Sequence, residues 1–548
     1  MSRSGMAGRS GRGKNPAPVL QQPGGLSSNY RSSRRRRSGG SRRRDRTGNR
    51  FVVGIVLILL VLGAGAAGLY WWRLPVDAIV KAQPQDATIT IAGMTAQGTA
   101  DLDRIEQGSY EVSVARSGFE TSTVQLTVTR LGENSLDISL EPLPQAISLT
   151  AHPDEATVAV ACGDEVIVTD TGSAMCTIPA GPVLITASLP GHNTIEREYY
   201  CDSPLDLEFW MDPEGQVVEG RGTMMSTGAP KGVAISPDGT EIWASILNGP
   251  PSIEVYDVAT GIRTDEIALG EHGAVEVLFT SDGTKAYASQ METARVYEID
   301  TATHEVLRQF ETESSWSKVI ELSPDESTLY VANWTGDDVS IIDLQTGTLT
   351  KRVATANTPR GLYATENGST LYVASFDDGI LERIDTLWGE TETVFDGGGA
   401  LRHIVGDPER NLLFISDMAK DCIWAHDMST GKTWVFTETD EKPNTIDLSP
   451  DGKVLFVSCR GENNSVSYYM PGPEWGTILL FDAATAEPLD AIIGGNQCTA
   501  LDVSDDGSLL VFSDFLDNRL RLYAVPSFET LAAGNGGRWI SHFTDLHK

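Results

Sequence analysis

A four-residue turn phrase that recurs along the chain constrains the fold more than any other feature of the sequence. It stands as SPDG at 236, TSDG at 280, SPDE at 323, TENG at 365, DPER at 407, SPDG at 449 and SDDG at 504. The successive spacings are 44, 43, 42, 42, 42 and 55 residues. Seven copies with a period near 42 predict an array of equivalent supersecondary units rather than one large core.

Each unit repeats the same order of four short strands. One strand precedes the turn, as in KGVAIS (231–236), and a second follows it, as in EIWAS (241–245). A third ends in a phrase such as YDVATG (256–261), and a fourth leads into the next copy. Asp and Ser bend such turns through side-chain hydrogen bonds, so we interpret these aspartates as turn residues rather than metal ligands or catalytic acids. Seven units of four strands predict a seven-bladed β-propeller over 214–540.

The second strands of two units carry a family signature. LYVAN (329–333) and LYVAS (371–375) resemble the YVTN-type β-propeller family, and the likeness covers about 216–533. The segment 215–230 has the pattern of a fourth strand with no first three before it. We therefore expect it to join the last blade and close the ring, which removes free sheet edges. Propellers that resemble this one include lactonases and redox subunits of quinoproteins, so the resemblance leaves an enzyme as the alternative function.

Two stretches of alternating polar and apolar residues precede the array and predict half-buried strands. The first contains GSYEVSVARSGF (108–119), and a related pattern returns in GPVLITASLPGH (181–192). Their order of strands resembles the PEGA domain over 86–142 and, more loosely, over 156–212, although the four-letter phrase that names that family is absent. We assign 79–143 and 144–213 to two small β-sandwich-like modules. The resemblance implies a spacer or binding role without catalysis.

The N-terminal region predicts a membrane anchor. Residues 51–72 contain no charge over 22 positions, enough for one transmembrane helix, and arginines crowd its N-terminal side. We therefore expect a disordered basic cytoplasmic tail over 1–50, a single-pass inner-membrane helix, and an all-β ectodomain in the periplasm or outside the cell. A cleaved signal peptide or a twin-arginine signal is the alternative. Ala64 and Gly68 would permit close helix approach, which leaves a homo-oligomer open.

Charge is split between this tail and the rest of the chain. Of 42 Lys/Arg and 75 Asp/Glu, residues 1–73 hold 15 and one, which leaves a net charge of −47 on the remainder. A region with this much negative charge repels nucleic acid and anionic lipid. We therefore expect no nucleic-acid partner, and we expect the helix alone to contact the membrane.

One set of equivalent positions departs from that acidity. Five residues before each turn phrase, at the head of each innermost strand, stand Lys231, Val275, Lys318, Arg360, Arg402, Asn444 and Thr499. We predict that the four basic residues converge at the mouth of a central tunnel as a site for a carboxylate, a phosphate or an acidic peptide. The alternative is that each pairs with a neighbouring acid. His403 is included as a candidate, with a structural hydrogen-bonding role as its alternative.

The interval of 55 residues reveals an insertion in the sixth unit, RGENNSVSYYMPGPEWGT (460–477). It lies on the face of variable loops, where binding usually occurs on a rigid scaffold. We predict a contact surface there made of Tyr468, Tyr469 and Trp475, joined by Trp316 and Trp334. The alternative is that these aromatic residues fold back onto the propeller.

The six cysteines show no C-x-x-C pair, haem-attachment pattern or zinc spacing, so no metal or cofactor is predicted. Cys459 and Cys498 both fall on the variable face, and we expect these two to form a disulfide after export.

The sequence thus predicts a cell-envelope binding or scaffold protein whose partner is an envelope protein, a glycan or an anionic small ligand. We expect no enzymatic activity, because no nucleophile with its base, metal-ligand cluster or cofactor motif is evident. A lactonase-like hydrolase or quinoprotein-like redox subunit is the alternative. A sensor is a third hypothesis, which would need a cytoplasmic partner.

Overall fold

The chain begins with a long apolar helix. The computed structural model describes residues 48–163, 165–534 and 546, and its first element, α1, spans Gly48–Trp72. The window Ile55–Trp72 has a mean hydropathy of 2.1 and is long and apolar enough to cross a membrane. The predicted disordered tail lies outside the described residues except for 48–50, which open this helix.

The first β module packs a three-stranded sheet against a four-stranded one. The three-stranded sheet has the order β4-β1-β7, with β1 and β7 parallel, and the four-stranded sheet has the order β3-β2-β5-β6. Val80, Ile89 and Val112 have no exposed surface, and burying each such side chain stabilises the fold by about 1.5–3 kcal/mol. The strands are β1 (Val76–Gln83), β2 (Thr88–Ile91), β3 (Met94–Gln97), β4 (Thr99–Ile105), β5 (Gly108–Ala115), β6 (Ser122–Val128) and β7 (Ser135–Ser139).

The second β module repeats this topology strand for strand. Its sheets have the orders β11-β8-β14, with β8 and β14 parallel, and β10-β9-β12-β13. The core again comes from alternate residues, such as Val158, Val160 and Ile185, each without exposed surface. The strands are β8 (Pro144–His152), β9 (Thr157–Cys162), β10 (Glu165–Thr171), β11 (Ser173–Pro179), β12 (Gly181–Ser188), β13 (Ile195–Cys201) and β14 (Leu205–Trp210).

Residues 219–524, called here the repeat region, form seven four-stranded antiparallel sheets. Six consist of consecutive strands, and the seventh combines the first strand of the region with its last three, in the order β15-β42-β41-β40. A single 3₁₀ turn, Phe515–Asp517, follows β41, and helix α2 spans Phe528–Ala533. The strands are β15 (Glu219–Met225), β16 (Pro230–Ile235), β17 (Glu241–Ile246), β18 (Ile253–Asp257), β19 (Arg263–Ile267), β20 (Val277–Phe279), β21 (Lys285–Gln290), β22 (Arg295–Asp300), β23 (Val306–Glu311), β24 (Ser317–Leu322), β25 (Thr328–Asn333), β26 (Asp338–Asp343), β27 (Thr348–Ala354), β28 (Pro359–Ala364), β29 (Thr370–Ser375), β30 (Ile380–Asp385), β31 (Thr391–Asp396), β32 (Leu401–Asp407), β33 (Leu412–Asp417), β34 (Cys422–Asp427), β35 (Thr433–Glu438), β36 (Pro443–Leu448), β37 (Val454–Cys459), β38 (Thr477–Asp482), β39 (Pro488–Ile493), β40 (Cys498–Val503), β41 (Leu509–Asp514) and β42 (Arg519–Ala524).

The first strand of each sheet contacts the first strand of the next. Contacts run from β16 through β20, β24, β28, β32 and β36 to β40, and β40 in turn contacts β16. Strand β15 pairs antiparallel with β42, from Glu219 opposite Ala524 to Met225 opposite Arg519. The strand expected to join the last sheet therefore does so.

The turn phrases have the chemistry expected of them. Ser236 donates its hydroxyl to Asp238 Oδ1 at 2.7 Å, and the Thr240 N–H donates to the same oxygen at 3.0 Å. Asp282, Asp325, Asp451 and Asp506 accept equivalent bonds in their turns. The interpretation of these aspartates as turn residues is confirmed.

A buried polar joint connects the second β module to the seventh sheet. The Tyr523 hydroxyl donates to Asp212 Oδ1 at 3.1 Å, and the Gly220 N–H donates to Asp212 Oδ2 at 2.8 Å. The guanidinium carbons of Arg519 and Arg521 lie 3.8 and 4.5 Å from the ring centroid of Trp210. The connection between module and repeat region is thus inside the packed structure.

Candidate functional site

The four basic residues predicted to converge lie on the first strands of four sheets. Lys231, Lys318, Arg360 and Arg402 belong to β16, β24, β28 and β32. All four line a single cavity of about 640 Å³, called here the cationic cavity. The repeat spacing alone therefore identified side chains that the fold brings together.

Serine side chains hold the backbone of this ring in place, and the sequence interpretation missed them. The Ser245 hydroxyl donates to the carbonyl of Val275 at 2.8 Å, and the Ser416 hydroxyl donates to the carbonyl of Asn444 at 2.6 Å. Ser289 and Ser458 make the same bond to Lys318 and Thr499. In each case the serine of one second strand fixes the equivalent first-strand position in the following sheet. The recurring serine of EIWAS, KAYAS and VLFVS was the available signal.

Further side chains complete the cationic cavity. It is lined by six cations and five aromatic rings, and no Asp, Glu, His, Ser or Cys of the described residues lines it. The cations include two that the sequence interpretation did not single out, Lys442 and Arg460. The charged, amide and aromatic lining consists of Lys231, Lys318, Arg360, Arg402, Lys442, Arg460, Asn444, Asn463, Trp316, Trp334, Phe376, Tyr468 and Tyr469.

Two tryptophans stack with the cations on one side of the cavity. The Lys318 ammonium lies 3.1 Å from the ring centroid of Trp334, and the Arg360 guanidinium lies 5.2 Å from the same ring. The rings of Trp316 and Trp334 are 5.6 Å apart. Such contacts keep a cation close to a π face without neutralising its charge.

The insertion folds back over the opposite side. The Arg460 guanidinium lies 4.3 Å from the Tyr468 ring centroid and donates to Gln497 Oε1 at 2.7 Å. The Lys231 ammonium donates to the Tyr468 hydroxyl at 3.5 Å. Tyr469 is 65% exposed at the cavity rim. Tyr468 and Tyr469 thus both line the cavity, Tyr468 packing against the ring and Tyr469 facing solvent.

Trp475 does not share this position. It is half-buried, it is absent from the cavity lining, and its backbone N–H donates to the carbonyl of Leu546 at 2.8 Å. Of the six aromatic and histidine candidates, Trp475 and His403 lie outside the cationic cavity.

Five of the six cations have no ion-pair partner within the described residues; Lys442 lies 4.0 Å from Glu441. Lys318, Arg360, Arg402 and Arg460 are nevertheless only 7%, 8%, 6% and 7% exposed. Burial, followed by repulsion from Arg360, lowers the pKa of Lys318 to about 4. Burial and then Arg402 lower the pKa of Lys231 well below its ordinary value, and burial lowers that of Arg402 to about 10. The predicted alternative, in which each cation pairs with an acid, is not observed.

Four buried polar atoms of residues in this lining have no hydrogen-bond partner within the part of the chain that the structure describes. Three are donors, Trp334 Nε1, Arg360 Nε and Arg460 Nε, and one is an acceptor, Asn444 Oδ1. Buried polar atoms of folded proteins are nearly always paired, so four orphans in one cavity indicate groups that a bound molecule would satisfy.

His403 lies on the other side of the ring. Its Nδ1 accepts the Ile446 N–H at 3.5 Å, and burial lowers the pKa of the imidazole to about 3. His403 lines a second cavity of about 930 Å³, called here the acidic cavity, and it also lines a small cavity of about 20 Å³ together with Lys231, Lys318, Arg360 and Arg402. Its place in the cationic site therefore stays a prediction, beside its structural alternative.

The acidic cavity is lined by His403 and by carboxylates of six sheets, and no Lys or Arg of the described residues lines it. Glu321 accepts the Ala364 N–H at 3.3 Å, Asp447 that of Val503 at 3.0 Å, and Asp502 that of Ile235 at 2.7 Å. Burial raises the pKa of Glu276 and of Glu321 to about 7.

The expected disulfide is absent. Cys459 and Cys498 are both free and fully buried. The Cys498 thiol donates to Asp514 Oδ1 at 3.3 Å, whereas the Cys459 thiol hydrogen-bonds to Thr477 and Thr439. Each sulfur is therefore directed at polar groups of its own surroundings, and the prediction of a bridge was wrong for this structure.

A group of three carboxylates lies beside the insertion. Glu441, Glu462 and Glu474 bring ligand atoms within 4.8 Å of one another. Burial and repulsion from Glu474 raise the pKa of Glu441. Two of the three are exposed, and exposed carboxylates often cluster without an ion, so the group does not define a metal site.

Comparison with known proteins adds three findings. An antigen named Lp49 from Leptospira interrogans is 33% identical over 288 residues, which is 50% of this chain and 63% of the antigen, so the chain spans less than two thirds of that relative. Hydrazine synthase of Kuenenia stuttgartiensis aligns with a TM-score of 0.47 and 17% identity over 54% of this chain and 96% of that one; at that score the likeness bears on neither fold nor activity. Residues 76–144 match the PEGA domain family, so a PEGA domain is present directly after the apolar helix.

Proposed function

We propose that this chain is a single-pass membrane-anchored protein of the bacterial cell envelope, whose repeat region is a seven-bladed YVTN-type β-propeller that binds an anionic partner in the cationic cavity. The partner is a small anionic ligand, an anionic glycan or an acidic segment of an envelope protein. The observation that carries the proposal is the convergence of five cations without ion-pair partners in one cavity that no described acid lines.

The propeller is supported by sheet order and by contacts. Seven four-stranded sheets succeed one another, their first strands contact in sequence, and β40 contacts β16. Pairing of β15 with β42 combines both ends of the repeat region in one sheet, the usual way in which a propeller avoids free edges.

A second PEGA-like module is supported by topology. Strands β8–β14 repeat the two sheet orders of the matched PEGA domain, including its one parallel pair. In this proposal the two modules are spacers that hold the propeller away from the membrane.

The membrane placement follows from the helix and its flanking charge. Arginine-rich residues precede α1, and cytoplasmic flanks are typically the basic ones, so the β-rich part is exported. Similarity to a protein named as an antigen agrees with an envelope location.

Binding without turnover fits the cavity better than hydrolysis or redox chemistry. The cavity lining within the described residues contains no carboxylate, imidazole, serine hydroxyl or thiol that would serve as a nucleophile or base for a hydrolase. The proposal therefore assigns the cavity to recognition.

The test uses the full chain in detergent micelles. Tryptophan fluorescence would follow titration with a panel of phosphates, carboxylates, acidic peptides and uronic-acid glycans. At least one class should bind, and the Arg360→Ala/Arg402→Ala double variant should bind it about 30-fold or more weakly, since each truncation removes a buried charge that contacts the anion. The exposed Lys432→Met variant, which removes one positive charge outside the cavity, is the control and should bind as the wild type does. Equal affinity in the double variant would refute the assignment of the cavity.

A further inference from the structure

The charge of the cationic cavity exceeds what the protein itself balances. Arg360, Arg402 and Arg460 keep their charge at any physiological pH, and Lys231 and Lys318 lie beside them. The carboxylate that acts most strongly on Arg402 is Glu276, which lines the acidic cavity and also a small cavity that it shares with the four basic residues of the ring. At least two positive charges therefore remain uncompensated.

A buried cation without a counter-ion is costly, and a monoanion would leave part of that cost in place. A ligand with two or more negative charges would complete the charge balance of the three arginines together with Glu276. It would also favour the protonated forms of the two lysines. Charge alone thus favours a polyanion over a monoanion.

The four polar atoms without a hydrogen-bond partner indicate which acceptors and donors the ligand would carry. Arg360 Nε, Arg460 Nε and Trp334 Nε1 each need an acceptor, and they come from different sheets and from the insertion. Acceptors spread over several oxygens of one group, as in a phosphate or a pair of carboxylates, can meet donors that approach from different sides. Asn444 Oδ1 needs a donor, which an anion alone does not supply but a hydroxyl of the ligand does.

The size and rim of the cavity show that the ligand extends beyond its charged group. The volume of about 640 Å³ is far larger than one inorganic anion, and Trp316 and Tyr469 are 43% and 65% exposed at its edge. Aromatic faces of this kind pack against an organic body rather than against a hydrated ion.

We propose that the cationic cavity selects an organic polyanion, with at least two negative charges of phosphate or carboxylate chemistry and a hydroxyl-bearing body, over monoanions of the same size. This inference rests on the proposed function and specifies its ligand. Phosphate esters and polycarboxylates share the required chemistry, and the experiment separates them.

The experiment compares anions that differ in charge, and its decisive pair, sulfate and methyl sulfate, keeps the same charge at every pH used. The full chain in detergent is titrated by calorimetry with sulfate and with methyl sulfate at constant ionic strength, then with pyrophosphate and with propane-1,2,3-tricarboxylate. Sulfate should bind at least about tenfold more tightly than methyl sulfate, because the second charge contacts buried cations. Tighter binding of pyrophosphate or of the tricarboxylate would identify the phosphate or the carboxylate source.

A variant tests whether Arg402 is responsible for the preference for sulfate over methyl sulfate. Arg402→Gln should lower the affinity for sulfate by about tenfold and change that for methyl sulfate much less, while Lys432→Met should change neither. If Arg402→Gln does not fold, the calorimetric affinities of the wild type for sulfate and for methyl sulfate still decide between selection of polyanions and its absence.

The outcomes are distinct. Equal affinity for sulfate and methyl sulfate would overturn the selection of polyanions and leave anion binding intact. Absence of binding by every anion in the series would overturn the proposed function as well.

Discussion

The cationic and acidic cavities are both lined by residues of the first strands, but they differ in whether their charged groups have partners within the protein. In the acidic cavity Glu321, Asp447 and Asp502 each accept a backbone N–H from the next sheet, so these carboxylates connect neighbouring sheets. In the cationic cavity five cations lack an ion-pair partner within the described residues, and three donors and one acceptor are orphaned. A buried charge with its own partner serves the fold, whereas a buried charge without one leaves half of an interaction for a ligand to supply.

The largest effect is expected when two buried arginines outside the cationic cavity lose the carboxylate that pairs with them. Asp514 accepts from Arg519 Nε at 2.7 Å and from Arg521 Nε at 2.9 Å, and all three are buried. Asp514→Ala should lower the free energy of unfolding by about 3–5 kcal/mol, because two guanidiniums lose their carboxylate. Chemical denaturation measures the change, with the exposed Glu529→Ala as control. A loss below about 1 kcal/mol would show that unpaired buried cations cost this fold little, and the missing partners in the cationic cavity would then lose their meaning.

A substitution in the cationic cavity itself should raise the free energy of unfolding rather than lower it. Lys318→Met keeps the stem that packs on Trp334 and removes a buried amine whose protonation is opposed by burial and by the charges of Arg360 and Lys231. Without ligand, the free energy of unfolding should rise by about 1–2 kcal/mol, while affinity for sulfate falls. Denaturation of this variant and of Lys432→Met in sulfate-free buffer checks it. A destabilised Lys318→Met would mean that this lysine serves the fold.

The acidic cavity should make stability depend on pH. Burial raises the pKa of Glu321 from an ordinary 4.5 to about 7, so the folded state binds more protons than the unfolded state between these values. The contribution of Glu321 to stability is therefore lost as pH rises from about 4.5 to 7. Glu321→Gln retains an acceptor for the Ala364 N–H without the charge. It should match the wild type at pH 4.5 and exceed it by about 1 kcal/mol at pH 8, and a constant difference across that range would contradict the assignment.

The smallest expected effect is proton uptake on binding. Lys318 faces Arg360, Lys231, Arg402 and Glu292, and burial among these charges lowers its pKa to about 4. A bound polyanion raises that pKa, so binding takes up protons at pH 7 and affinity falls by a few-fold from pH 6 to pH 8. Calorimetry of sulfate binding in buffers of different ionisation enthalpy measures the uptake, which Lys318→Met should reduce. Identical enthalpies in all buffers would contradict it.

Much of this arrangement follows from periodicity. The spacing near 42 residues aligned Lys231, Lys318, Arg360 and Arg402, and the structure brings these four into one cavity. The position of His403 could not be predicted from strict alternation, because the strand has a register irregularity between Leu401 and Ile404.

Other features depend on three-dimensional detail that a repeat pattern does not carry. Arg460 directly follows its second strand, as Leu247, Met291, Trp334, Phe376 and Met418 follow theirs, and all six line the cavity. Its contact with Tyr468, in contrast, depends on how the insertion folds back. The free state of Cys459 and Cys498 depends on the direction of each thiol, which position along a strand does not specify.

The joint between the second β module and the seventh sheet has a mechanical consequence. The Lys231 ammonium lies 4.9 Å from the ring of Phe515, Phe515 adjoins Asp514, and Asp514 binds Arg519, whose guanidinium lies 3.8 Å over Trp210 of the module. The cavity is thus connected to the second β module by a short series of packed side chains. A change in the position of Lys231 would therefore act on the second β module through packed contacts rather than through a flexible linker.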